Sequence, residues 1–296
     1  MCQQTQIATV LPYYARWMAA FPTVRALAEA DLERVMAHWQ GLGYYARGQR
    51  LHAAARDLAS GQWPTDLAGW RAIPGIGPYT AGALASIVNG LPTPLVDGNV
   101  ERVAARIAAL DSTGAELRRA AWAWAQAVMV ANDPGNWNQA LMELGAKVCT
   151  PRRPRCPECP VQAHCQSWQA GRVDQRPAPR PKPVTRGVDL CVTITRRADG
   201  AWGLTKSVPG QWWAGLWVLP WTRAGEVMTV GPKDVVVRTV VTQHRIRLIA
   251  SPADLGAMTG GELVWLGGVD LANVAVPTPF RRLMAAYAKA QGEPKV

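Results

Sequence analysis

The stretch Ile73-Pro74-Gly75-Ile76-Gly77-Pro78-Tyr79-Thr80-Ala81-Gly82, with Asp97-Gly98-Asn99 after it, decides how this chain folds. Two glycines one residue apart, bracketed by prolines and set between two helical patterns, predict a hairpin that ends one helix and starts another. Without Cβ atoms at Gly75 and Gly77, several backbone N–H groups can point outward together at the next helix N-terminus, which suits a phosphate oxygen. An ordinary helix–helix connection carries the same local signature, so the flanking sequence has to separate the two.

The flanks supply Gln3-Gln4-Thr5-Gln6, Gly41-Leu42-Gly43-Tyr44-Tyr45-Ala46-Arg47, the run from Asn138 to Ala146, and four cysteines between 149 and 165. Together with the hairpin and Asp97 these segments resemble the helix-hairpin-helix DNA glycosylases that have a Gly/Pro-rich loop and an essential Asp, and within them the MutY-type adenine DNA glycosylases. The resemblance covers residues 1 to about 165 with specific motifs and continues more weakly beyond. It implies an α+β protein of two domains: an all-α helix-hairpin-helix core with an iron–sulfur tail (1–165), a basic Pro-rich linker (166–186) and a small Nudix-like α/β domain (187–296).

Composition agrees with such a partner. At 296 residues the chain can bury two cores, and 32 Lys and Arg against 21 Asp and Glu give a formal net charge of +11, which favours a polyanion. No apolar run approaches a membrane span, and Met1-Cys2-Gln3-Gln4 lacks a signal-peptide profile, so a cytoplasmic, nucleoid-associated monomer is expected. Six cysteines, four of them clustered, favour a metal site over a disulfide framework.

From Gln6, apolar Ile7, Val10, Leu11, Tyr14, Trp17 and Met18 recur at three and four, predicting an amphipathic helix already in progress where the chain begins. The resemblance implies a catalytic Glu two positions before the residue equivalent to Met1. That Glu is not in the chain; a start assigned downstream of it is the expectation, and an inactive mismatch-binding relative the alternative. Leu32, Val35, Met36 and Trp39 predict a short helix ending at Gly41-Leu42-Gly43. Tyr44 and Tyr45 by themselves read as core or rim residues. The resemblance points to Tyr44 as a wedge in the base stack beside the Gln3/Gln4/Thr5 loop, with Arg47 on the following helix as a DNA contact.

Helices are predicted at 80–88, from about Asn99 to Leu110, at 115–130 and at 136–148. Asp97 at a helix entrance reads equally as a cap. The resemblance makes it the essential carboxylate, with Asn99 to orient it. Glu143 lies off its helix's apolar stripe and reads as a surface charge, whereas the resemblance sets an acid there against the extruded adenine.

Cys149, Cys156, Cys159 and Cys165 are separated by six, two and five residues. Their chemistry alone fits zinc or an iron–sulfur cluster. The spacing resembles the [4Fe-4S] tail of these glycosylases, which makes His164 a bystander and presents the Arg152-Arg153-Pro154-Arg155 loop to phosphate. Beyond a linker of alternating prolines and basic residues the period changes to two, predicting strands at 188–195, 235–241, 246–249 and 263–266 and a helix at 279–290. The second domain resembles a Nudix-like module through the Trp213–Pro220 and Pro277–Arg282 runs, without the acidic metal helix such hydrolases need. The family's lesion-reading Phe-Ser-His turn aligns with Thr242, Gln243 and His244, of which only His matches.

The resemblance therefore implies excision of adenine opposite 8-oxoguanine or guanine in double-stranded DNA. Tyr79 stands where a lyase relative has its Lys nucleophile, and a phenol cannot form a Schiff base, so a monofunctional enzyme is expected. Alternatives are a mismatched-thymine glycosylase and a catalytically silent mismatch-binding protein.

Overall fold

The structure, a computed structural model, describes residues 1–2, 5–179, 184–251 and 262–291. Packing divides the chain into two compact units: Met1–Ala59 with Pro183–Val296, and Ser60–Lys182. The first holds helices α1 (Ile7–Ala20), α2 (Val24–Glu29), α3 (Leu32–Trp39) and α4 (Ala46–Leu58) together with all the strands. The second holds α5 (Leu67–Ala72), α6 (Pro78–Ile87), α7 (Gly98–Ile107), α8 (Gly114–Ala127), α9 (Pro134–Glu143) and α10 (Gln166–Gln169).

This division departs from the 165/187 boundary read from the sequence. Met36 of α3 is buried with Leu216 and Ala275 of the strand-rich segment, and Tyr45 and Trp213 pack against them. Polar bonds reinforce the contact: Gln49 Nε2 donates to Ala214 O at 3.3 Å, Arg281 to Gln40 at 3.2 Å, and Lys206 pairs with Glu33. None of these partners is near in sequence, so no periodicity announces them. Within the same unit, α1–α4 close around Trp17, Phe21, Val35 and Trp39. The 1 % exposed Trp39 donates to Gly43 O at 3.1 Å, so its indole N–H is satisfied inside the core. Helix α1 starts at Ile7 rather than running in from Met1 and buries only Val10 and Trp17, while Ile7, Leu11, Tyr14 and Met18 are exposed.

The strands form two sheets: β1 (Arg186–Val192), β4 (Trp221–Arg223), β5 (Val235–Val241) and β6 (His244–Ala250) in the order β4-β1-β6-β5, and β2 (Trp202–Lys206), β3 (Trp217–Val218) and β7 (Val264–Leu266) in the order β3-β2-β7. Helix α12 (Thr278–Ala290), which follows α11 (Gly268–Asn273), buries Phe280, Leu283 and Met284 against the inward residues Val188, Leu190, Ile246 and Leu248. The short strands β2, β3 and β4 escaped sequence reasoning because tryptophans and turn glycines interrupt their alternation.

In the Ser60–Lys182 unit the core is Leu95, Val100, Val103, Ala104, Ala121 and Leu141, drawn from α7, α8, α9 and the segment before α7. Small residues let the helices approach, and Asn138 does the joining. Its Nδ2, 1 % exposed as a residue, donates to Ser86 Oγ and Thr93 O, both at 2.9 Å. No described helix is long and apolar enough to cross a membrane.

Candidate active site and cluster loop

The Ile73–Ile76 turn closes with Ile76 N–H donating to Ile73 O at 3.1 Å, and Gly75 takes φ +84°. A turn with Pro at its second position and a positive φ at its third requires glycine at that third position. Gly77, by contrast, has an ordinary extended φ of −83°, and a Cβ there would meet nothing within 4 Å. Its lack of a side chain leaves room at the α6 N-terminus, where Pro78 is the first residue and no side chain caps the helix.

Asp97 is both a cap and something more. Its Oδ1 accepts from the backbone N–H groups of Asn99 and Val100, each at 2.8 Å, while Oδ2 accepts from Asn99 Nδ2 at 3.2 Å. The Asn99 carbonyl oxygen accepts in turn from Arg102 Nη2 at 3.0 Å. Because a guanidinium only donates, the Asn99 oxygen must face Arg102 and its amide must face Asp97. Arg102 also donates to Gly145 O at 2.7 Å and Cys149 O at 2.8 Å, and its burial lowers its pKa. The Gly145 carbonyl belongs to a π-helical turn, Leu144–Val148, that continues α9. A Cβ on Gly145 would lie 2.7 Å from that of Asn99, so only glycine allows this approach. Sequence reasoning missed Arg102; the available signal was a pair of arginines, 102 and 106, four apart on a helix that is otherwise mostly buried and apolar.

Two other expected site residues have different surroundings. The half-buried Tyr79 donates its hydroxyl to Met142 Sδ at 3.3 Å. Glu143 is exposed and ion-paired with Lys147 one turn along, as its place off the apolar stripe suggests.

All four cysteines of the tail are free thiols and line one hollow with Leu144, Val148 and Val173. Among the described residues no three His, Cys, Asp or Glu side chains converge as a single metal ion requires. Four thiols lining one hollow fit the ligand set of an iron–sulfur cluster. Burial, and then the neighbouring cysteines, push the Cys156 thiol up, so holding these thiolates together needs a strong local cation. The buried Arg106 ties the loop down, donating to Thr150 O at 2.7 Å, Arg176 O at 2.8 Å and Cys149 Sγ at 3.3 Å. His164 is exposed and does not line the hollow; Arg152 and Arg153 face solvent.

In the other unit, Tyr44 has φ +45° and is 53 % exposed, an unusual backbone for an aromatic residue. Arg47 explains it. The Arg47 guanidinium donates to Met1 O and Thr5 Oγ1, both at 3.0 Å, and lies 5.4 Å from the Tyr44 ring centroid. Partial burial favours such internal acceptors over solvent and lowers the Arg47 pKa. Gln3 and Gln4 lie outside the described residues. Thr242 takes φ +52° at the β5–β6 turn and Gln243 is exposed beside it. His244 packs its ring 5.2 Å from that of Trp212, which stacks in turn on Trp221 at 6.1 Å. Aromatic surface therefore stands next to a turn that itself has none.

Residues 1–127 match the family described as HhH-GPD superfamily base excision DNA repair protein, and residues 149–165 match the iron–sulfur binding domain of endonuclease III. Adenine DNA glycosylase of Mus musculus is 43 % identical over 217 residues, covering 69 % of this chain and 42 % of that protein. Adenine DNA glycosylase of Homo sapiens is 48 % identical over 181 residues, covering 59 % of this chain and 33 % of its own length. The chain thus spans less than half the length of these relatives. Among solved structures, a non-covalent endonuclease III–DNA complex is 22 % identical with a TM-score of 0.48, covering 57 % of this chain and 79 % of that one. Residues 1–127 thus carry the helix-hairpin-helix base excision repair domain and residues 149–165 the iron–sulfur binding domain, with a four-thiol hollow that suits a [4Fe-4S] cluster, and the chain is similar to adenine DNA glycosylases of the MutY type.

Proposed function

We propose that this chain is a monofunctional adenine DNA glycosylase of base excision repair, hydrolysing the N-glycosidic bond of adenine mispaired with 8-oxoguanine or guanine in double-stranded DNA. The observation that carries the reading is Asp97, whose carboxylate is fixed by three hydrogen bonds beside the hairpin that would seat a phosphate. As the adenine leaves, positive charge develops on the sugar, and a carboxylate already oriented stabilises it without reorganisation. The departing base needs a proton from a positioned general acid. Tyr79 offers no amine for a covalent imine, so the reaction stops at the abasic site. Tyr44 would wedge the stack as the adenine is extruded, and Glu143 would face it once Lys147 is displaced. Thr242, Gln243 and His244 on the Nudix-like domain would read the opposite base.

Cys149, Cys156, Cys159 and Cys165 hold the cluster, which supplies structure to the loop and no chemistry to the cleavage. Single-turnover release of adenine tests the reading, using duplexes bearing A:8-oxoguanine, A:G, A:T and T:G. Release from the first two alone, with no borohydride-trapped adduct, is expected. Thymine release or a trapped adduct would assign a different glycosylase, and tight mismatch binding with no release would assign a silent binder.

A further inference from the structure

The outer face of the larger sheet carries side chains to which the glycosylase reading gives no work. Strand β1 runs parallel to β6, and β5 antiparallel to it, so Gly187, Arg245 and Val240 form one row across three strands and Asp189, Arg247 and Arg238 the next. Alternate residues of these strands point into the core, leaving both rows on the other face. Asp189 locks Arg247, accepting from Nε at 2.7 Å and from Nη2 at 2.5 Å. The same pair grips the loop after β4: Met228 N–H donates to Asp189 Oδ2 at 2.8 Å, and Met228 O accepts from Arg247 at 3.0 Å. The loop consequently stands over the sheet as a wall and leaves an open cavity of about 620 Å³.

The charges around this cavity are unbalanced. Arg223, Arg238 and Arg245 are exposed, and their guanidinium groups have no hydrogen bond or ion pair among the described residues. Of the two acids in the lining, Asp189 is spent on Arg247 and only Glu226 remains. Arg238 sits directly across from Arg247, whose charge Asp189 already balances, so Arg238 has no acid of its own there. Beside Arg245 the floor is bare, since a Cβ on Gly187 would meet nothing within 4 Å. Val227 and Val240, 86 % and 65 % exposed, add apolar rims.

We propose that this cavity holds the sugar–phosphate backbone of a DNA strand, with phosphates on Arg238 and Arg245 and sugars against Val227 and Val240. A planar guanidinium fork matches phosphate oxygens, and the valines match deoxyribose. The β5–β6 turn lies one residue beyond Val241 and one before His244, so a strand read at 242–244 continues into the cavity. The proposal rests on the reading that this turn faces DNA. A free nucleotide presents the same chemistry, and the test separates the two sources.

The full chain and its Arg238→Gln/Arg245→Gln, His244→Ala and Lys289→Gln variants are titrated with undamaged and A:8-oxoguanine duplexes over a range of salt, and with deoxyguanosine monophosphate. Both arginines are exposed, so the double variant should unfold at the wild-type temperature. Two lost phosphate contacts lower the slope of log K against log salt by about two, equally for both duplexes. Lys289, exposed on the helix that covers the opposite face, leaves the slope unchanged. An unchanged slope in the double variant overturns the proposal, as does monophosphate binding that the double variant loses while its duplex slope stays intact. Loss of lesion discrimination in His244→Ala reports separately on the turn; if that discrimination survives while the arginine slope falls, the cavity stands and the reading of the turn fails.

Discussion

A carboxylate that caps a helix ordinarily gives its charge to the backbone, yet Asp97 keeps one oxygen for a side-chain amide that cannot turn away. Asn99 is pinned because Arg102 takes its carbonyl oxygen. Asp97→Asn therefore sets one amide N–H against another and should cost ~1–2 kcal/mol, more than a lost charge alone. Asp97→Ser is the cleaner variant: it keeps a capping oxygen, loses the negative charge and avoids the donor–donor clash. Thermal stability within ~1 kcal/mol of wild type, duplex affinity nearly unchanged at fixed salt, and single-turnover excision slower by ~10² or more are expected. Normal excision by a folded Ser variant would leave Asp97 as a cap only. Asp97 and Asn99 were legible because the motif spacing names them. Arg102 was not, since two arginines four apart in a helix say nothing about which carbonyls a later π-helical turn will aim at one of them. The internal acceptors of Arg47 were not legible for a related reason: they come from Met1 and Thr5, more than forty residues away in sequence.

Among the elements, the cluster loop is where sequence and structure agree most closely, because cysteine spacing is itself a geometric statement. Cys156 and Cys159 share one short 3₁₀ turn and must serve one site. Either Cys→Ser change should remove the visible absorbance and about all of the iron, and should loosen the Arg152–Arg155 loop; retained iron would show that the tail is not the ligand set. The sheet carries a pH prediction. Its Arg247 partner holds the Asp189 carboxyl below the usual carboxylate range, with the Met228 N–H helping. A depressed folded pKa contributes stability that is fully present above the unfolded value of ~4 and is lost as pH falls through the folded one. Asp189→Asn should lower the Tm at pH 6, and the gap from wild type should close as pH drops below about 4. A gap constant down to pH 3 would assign the effect to packing instead.

At the scale of the whole molecule, the sequence places a boundary in the Pro-rich segment, and the packing groups α1–α4 with the strands beyond it. The two readings predict different behaviour for a chain ended at residue 182. If residues 1–165 form a self-sufficient core, α3 and α4 keep their amide protection when the strand-rich segment is removed. If packing governs, the deletion uncovers Met36 and Tyr45 and strips the partners from Glu33, Gln40 and Gln49. Uncovering two large side chains corresponds to about 3 kcal/mol, enough to turn slow exchange in α3 and α4 into exchange more than a hundredfold faster. Helices α6, α7 and α9, whose core is built from Leu95, Val100, Val103 and Leu141, should exchange at the wild-type rate in the same sample. Hydrogen exchange resolved by peptide therefore supplies its own control. Unchanged protection throughout would return the boundary to the linker, while faster exchange confined to α3 and α4 would place Tyr44 and the lesion-reading turn in one cooperative unit, so that a wedge in one strand and a reader of the other are stabilised together.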